Sequence, residues 1–277
     1  MNQQQLVGMQ RAEFENASRL MAWMIVIQAA IIVVSLVGAS ASDTSVVYGS
    51  TIALLALTGL WLWTCYCYQS SRGGAEQARH ATLIMEGLGE QISAQELRDL
   101  ESQLTVSRDR GRKFEDPNYF SSLARPGDAR FARMLEQSAF FTFHLMKRSA
   151  GITWSVVIII LCAAFLLAVS LAPILPAQQH QDALRLFCVL LTMFVSSNIF
   201  LAAVAYTRSA LTIKHLLVRL GAFNVDDHPR ADLLLMFADY NSAVESAPML
   251  LPGLYSRSRD DLNARWTEYD QRVNGGA

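Results

Sequence analysis

From Gly151 to Ala172 the chain carries no charged residue and no histidine, and no proline interrupts it between Asp128 and Pro173. A helix needs ~20 predominantly apolar residues to cross a bilayer, so this stretch is long enough. Backbone inside hydrocarbon must satisfy its own hydrogen bonds, which restricts such a segment to a helix or a closed barrel. Three further runs share the character: Leu20–Ala39, Ile52–Tyr68 and Ala183–Tyr206. Apart from Arg185 near one end of the last, none contains Asp, Glu, Lys, Arg or His. Composition agrees, with 52% hydrophobic and 17% charged residues against about 25% charged in soluble domains. The expectation is an all-α polytopic membrane protein, with four transmembrane helices in two tandem hairpins and cytoplasmic helical extensions. Its divisions are a lead-in at 1–19, a hairpin at 20–68, a helical linker at 69–150, a second hairpin at 151–206 and a helical tail at 207–277.

Orientation follows from the basic residues. Of the 23 Lys and Arg residues, all but Arg185 lie in the amino-terminal segment, the linker or the tail. The short loops on the other face, Ser40–Val47 and Pro173–Asp182, carry Asp43, His180 and Asp182. The positive-inside rule therefore puts both termini and the linker in the cytoplasm. Ala39-Ser40-Ala41 fits a signal cleavage pattern, but the long polar segment before Leu20 is foreign to a secretory signal, and the first span is expected to stay. The four cysteines (Cys65, Cys67, Cys162, Cys188) all sit in apolar runs without a CxxC or His partner. They read as buried free thiols rather than disulfides or zinc ligands.

Local signals divide the polar regions. Residues 1–19 read as a short amphipathic lead-in. Ser93-Ala-Gln-Glu96 is a capping-box pattern that starts a helix, and Gly87 and Gly89 end the one before it. Arg125-Pro-Gly-Asp128 reads as a turn with Asp128 as N-cap of a helix that passes unbroken into the third span. The fourth span is expected to continue in water to Gly221. Asp226-Asp-His-Pro229 resembles another helix start, Pro248–Pro252 is forced extended, and a charged helix from about Ser258 to Arg272 follows.

No phosphate-binding loop, HExxH, nucleophile elbow or metal cluster is present, so no catalytic residue, cofactor or metal is expected. The five histidines are scattered, none with an evident partner. Spans without a carboxylate, a histidine or a broken helix argue against a coupled transporter. Their polar residues include Thr192, Ser196 and Asn198. Thr192 and Ser196 share a helix face and fit either interhelical hydrogen bonding or the lining of a pore built from several copies.

The linker holds a second ambiguity. Arg108, Arg110, Arg112, Lys113, Arg125, Arg130 and Arg133 outnumber Asp109, Glu115, Asp116 and Asp128, with Phe114, Tyr119 and Phe120 interleaved. Such a cluster suits anionic lipid, a nucleotide or nucleic acid through arginine–phosphate pairing and base stacking, or an internally salt-bridged face.

Two hairpin–helix units, Glu136-Gln-Ser-Ala-Phe140-Phe141 before the third span, and Pro248-Met-Leu-Leu-Pro252-Gly-Leu-Tyr255 before a charged terminal helix resemble a bacterial group. It is that of the SLATT-like, four-transmembrane pore-forming effectors of anti-phage conflict systems, among them the membrane effectors of Hailong-type defence. The resemblance implies an inner-membrane, tetrameric channel with no enzymatic activity of its own. It also implies gating by a nucleotide or short nucleic-acid oligomer on the seven basic residues, and a partner nucleotidyltransferase. Motion near Gly151 would link that ligand to the third and fourth spans. The alternative expectation is a non-conducting membrane scaffold that recruits cytoplasmic partners.

Overall fold

The computed structural model describes residues 3–116, 119–120, 124–171, 187–188, 191–192, 194 and 198–274. Every regular element among them is helical. α1 is Gln3–Ser40, α2 is Thr44–Leu83 with a closing π-helical turn at Ile84–Leu88, α3 is Ala94–Gln103 and α4 is Arg108–Arg112. α5 runs Asp128–Leu171, α6 Ile199–Gly221, α7 Arg230–Glu245 and α8 Leu254–Asn274.

Three helices are long and apolar enough to cross a membrane, and they belong to α1, α2 and α5. In the first two, only 6% of the most apolar window is buried within the chain. Trp23, Val33, Ile52, Leu55, Trp63, Ile159 and Phe165 all stand exposed. Surface of this extent needs lipid or protein to cover it, so the chain reads as a membrane protein. Part of the expected fourth span, its preceding turn and Ser196 lie outside the described residues.

The long helices run without internal breaks. The lead-in and the first span form one helix, α1, of 38 residues. α2 likewise runs through Gly73-Gly74 and ends only at the π-helical turn, where Gly89 takes φ 72°. That left-handed conformation suits glycine and closes a helix. α5 spans 44 residues, but its N-cap is Gly127, at φ 151°, whose carbonyl accepts from the Phe131 amide at 2.9 Å. Asp128 is instead the first helical residue, where its charge meets the positive end of the helix dipole. The fourth apolar run is interrupted: Asn198 has φ 56° immediately before α6. Asparagine tolerates this conformation better than most residues.

The chain divides into two compact units. One comprises Met1–Arg19, Cys67–Ser149 and Ala205–Ala277, the other Leu20–Tyr66 and Ala150–Val204. The first has a sealed interior in which Leu6, Leu83, Phe131, Met134, Leu135, Ile213, Leu216, Leu233 and Leu262 are almost wholly buried. Its polar ends are satisfied locally. Ser93 Oγ accepts from the Glu96 amide at 3.2 Å, as the capping pattern foretold. The proline-bounded segment between α7 and α8 cannot bond to itself, so side chains serve it. Arg72 donates to the carbonyls of Glu245 and Ala247 at 3.1 and 2.6 Å, and Tyr206 Oη donates to that of Met249 at 2.6 Å. In the second unit α1 and α2 approach closely at Gly38, where a Cβ would come within 2.5 Å of Ser50 Oγ.

Candidate functional site

The seven basic residues, all in the first unit, lie on α4, on α5 and in the segment between them. α4, opened by Ser107 as N-cap, carries Arg108, Arg110 and Arg112. It sits against α1, where Gly8 and Gly111 let the backbones close. Arg110 is turned inward and donates to Asn16 Oδ1 at 3.2 Å. Arg108 pairs with Glu101, and Arg112 lies 3.4 Å from Asp109; both side chains are 68% exposed. Lys113 and Arg125 are exposed and have no ion-pair partner among the described residues. A shallow groove beside α4 is lined by Gln5, Met9, Arg108, Arg112 and Glu115.

Arg130 and Arg133, near the start of α5, are committed to protein partners. Arg130 reaches Glu86 at 3.1 Å and the Ala124 carbonyl at 3.0 Å. Arg133 pairs with Glu136 at 2.7 Å and with Asp270, and its guanidinium lies 5.5 Å from the centre of the Trp266 ring. Tyr269 Oη donates to the other oxygen of Glu136 at 2.8 Å. Further along, Arg148 binds Ser258 and Asp261, each at 2.6 Å. These contacts fasten α8 along the first half of α5. Burial raises the Glu86 carboxyl pKa against the pull of Arg130.

Of the remaining candidates, Thr192 is helical and exposed, and Asn198 is exposed at the break before α6. Gly151 lies inside α5 with open space where a Cβ would project, so packing does not require a glycine there.

Sequence reasoning missed two polar sites. Glu13 on α1 is fully buried, and its carboxylate accepts from Ser71 Oγ, the Thr105 amide, Thr105 Oγ1 and the Val106 amide. The donors lie far along the chain, so nothing near Glu13 announces them. The second site is Glu76, His80 and Glu245, whose ligating atoms all lie within 4.8 Å of one another. The reading of histidines without partners is thus corrected at His80, which meets Glu245 at 3.1 Å and packs edge-on to Phe237. Burial, with help from Arg79, pushes the His80 imidazole down to about 4 and leaves it neutral in ordinary conditions. Burial also raises the Glu76 carboxyl, opposed by Arg79 and Arg72. The four-residue interval between Glu76 and His80 was a visible signal, but their third member comes from α7.

Comparison with protein-family models, with curated proteins and with solved structures gives no match in any of the three.

Proposed function

We propose that this protein is an oligomeric pore-forming effector of a bacterial inner membrane, gated by an anionic nucleotide or nucleic-acid oligomer and depolarising the cell in anti-phage defence. The observation that carries the reading is α5. Its first half bears Arg130 and Arg133 within a packed, water-compatible unit, and its second half is an exposed apolar rod. A ligand with different affinity for two arrangements of the first half shifts the population of both, and an unbroken helix transmits the difference. Both termini and the basic linker face the cytoplasm, where a partner nucleotidyltransferase would supply the signal. Copies of the chain assemble, as a tetramer by resemblance, because the helices of one chain leave no room for a water path.

Within the basic linker, the exposed cations of α4 fit phosphate better than the two on α5. Arg108 and Arg112 hold only exposed ion pairs, worth about 0–1 kcal/mol each, and Lys113 beside them is exposed, with no ion-pair partner among the described residues. A phosphate can displace such partners, whereas Arg130 and Arg133 hold largely buried ones, Glu86 and Glu136. Replacing Arg108, Arg112 and Lys113 together by Glu is expected to abolish oligonucleotide binding and its salt dependence. Unchanged affinity would remove this site from the proposal.

The deciding experiment is ion flux from proteoliposomes, with and without a panel of cyclic nucleotides and short DNA and RNA oligomers. Flux that responds to one member supports a gated pore. Silence from inserted, oligomeric protein favours the second reading, a non-conducting scaffold. The pairing of Arg130 and Arg133 with carboxylates favours that scaffold, because it gives these arginines a structural task that needs no ligand.

A further inference from the structure

We propose that Glu76, His80 and Glu245 form a binding site for a first-row divalent metal ion, Zn²⁺ in the first instance, which ties α2 to the end of α7. The site lies wholly within the first unit and does not depend on the pore reading.

The geometry comes from two elements. Glu76 and His80 are four residues apart on α2 and therefore share a face, while Glu245 is the last residue of α7. His80 Nε2 and Glu245 Oε1 are already 3.1 Å apart, and the third ligand atom is within 4.8 Å of both. A tetrahedral ion with ligands at about 2.1 Å holds neighbouring donors about 3.4 Å apart. The three donor atoms, now within 4.8 Å of one another, would have to draw together to about that spacing to hold the ion. One imidazole and two carboxylates suit zinc or manganese, and the fourth position stays open for water. A neutral imidazole is the form that binds metal.

An independent observation points to a missing partner. Glu76 is nine-tenths buried, yet its Oε2 accepts no hydrogen bond. The Arg79 guanidinium stands 2.9 Å away, in ion-pair contact but without hydrogen-bonding alignment, and Arg79 Nε is likewise buried without an acceptor. A buried charge satisfied this incompletely is costly. An ion held through Glu76 Oε2 would give that oxygen the partner it lacks. Arg79 can release Glu76, because it also donates to Asn241 Oδ1 at 3.2 Å and lies 5.1 Å from the centre of the Tyr240 ring. The positive charges of Arg79 and Arg72 oppose a dication, so affinity falls below that of a site with anionic neighbours alone.

The test uses the full chain, purified in detergent, stripped with chelator, loaded with Zn²⁺ and desalted. Wild type is expected to retain one equivalent by elemental mass spectrometry, and to show visible absorption bands of low-symmetry coordination when Co²⁺ replaces zinc. His80→Gln and Glu245→Gln should each lower affinity at least tenfold and remove the bands. Glu245 is 46% exposed, so Glu245→Gln tests the site even if the His80 variant does not fold. Zinc retention in wild type no greater than in Glu245→Gln, or absorption bands unchanged by that substitution, would overturn the proposal.

Discussion

Glu13 places a carboxylate in a protein interior with no ion-pair partner among the described residues, and four hydrogen bonds satisfy it instead. Two come from backbone amides just beyond α3, so this one side chain fixes the linker to α1. Each buried donor left without an acceptor costs about 1–3 kcal/mol. Glu13→Ala should therefore destabilise the protein by roughly 3 kcal/mol or more, read from guanidinium unfolding followed by tryptophan fluorescence. A loss below about 1 kcal/mol would mean that water replaces the carboxylate. His144 gives a second residue-scale expectation. Partial burial lowers its pKa, Arg265, Lys147 and Arg148 add to the effect, and the bond to the Phe140 carbonyl opposes it. The folded chain then binds fewer protons than the unfolded one. The stability this confers is present above the ordinary histidine value, about 6.5, and is lost as pH falls through the lower folded value. The unfolding midpoint should fall as the solution is acidified below about pH 6.5, and His144→Gln should flatten that slope. Equal slopes in the two proteins would remove His144 from the account.

At the scale of elements, α4 is seated on α1 through glycine. A Cβ on Gly8 would stand 2.5 Å from the Gly111 carbonyl oxygen, which is backbone and cannot swing aside. A Cβ on Gly111 would press mainly on the flexible side chain of Met9, whose backbone nitrogen stands farther off at 3.4 Å. Gly8→Ala should consequently cost about 1–3 kcal/mol and loosen the helix that carries Arg108 and Arg112, while Gly111→Ala costs less. Thermal unfolding of the two variants side by side checks the order. The docking of α8 supports a different expectation. Arg133→Glu would set a third carboxylate beside Glu136 and Asp270 and remove the cation over Trp266. Breaking a buried pair from one side costs about 3–5 kcal/mol, less where water reaches it. Hydrogen exchange across 254–274 should rise sharply, and unchanged protection would show that apolar contacts alone hold α8. This helix also shows where sequence reading stops. It is charged on most of its surface and reads as solvated, yet Leu262 and Trp266, four residues apart, are buried. That spacing with Tyr269 was the visible mark of an inward face. What it faced was not visible, because Asp270, Ser258 and Asp261 on α8 lie more than a hundred positions along the chain from Arg133 and Arg148.

For the whole molecule, what sequence made legible is what depends on composition along a single helix. Charge-free runs mark α1, α2 and α5, because hydrocarbon tolerates no unsatisfied backbone. The partners of the basic linker were not legible, because the balance between free and paired arginine depends on carboxylates supplied by other helices. The uncovered apolar surface of the second unit then sets the last expectation. Lipid suffices to cover α1, α2 and α5, so membrane insertion requires no second copy. The proposed pore would require one, since the exposed faces described on these helices are lined by Trp, Leu, Val and Phe. Thr192 and Asn198 are exposed and would meet their counterparts only in an assembly. Native mass spectrometry from lipid nanodiscs should therefore give a defined homo-oligomer, with Thr192→Leu altering flux while leaving the assembly intact. A monomer in nanodiscs would sink the pore and leave the scaffold. An oligomer whose flux ignores Thr192 would instead keep the pore and move its lining to other residues.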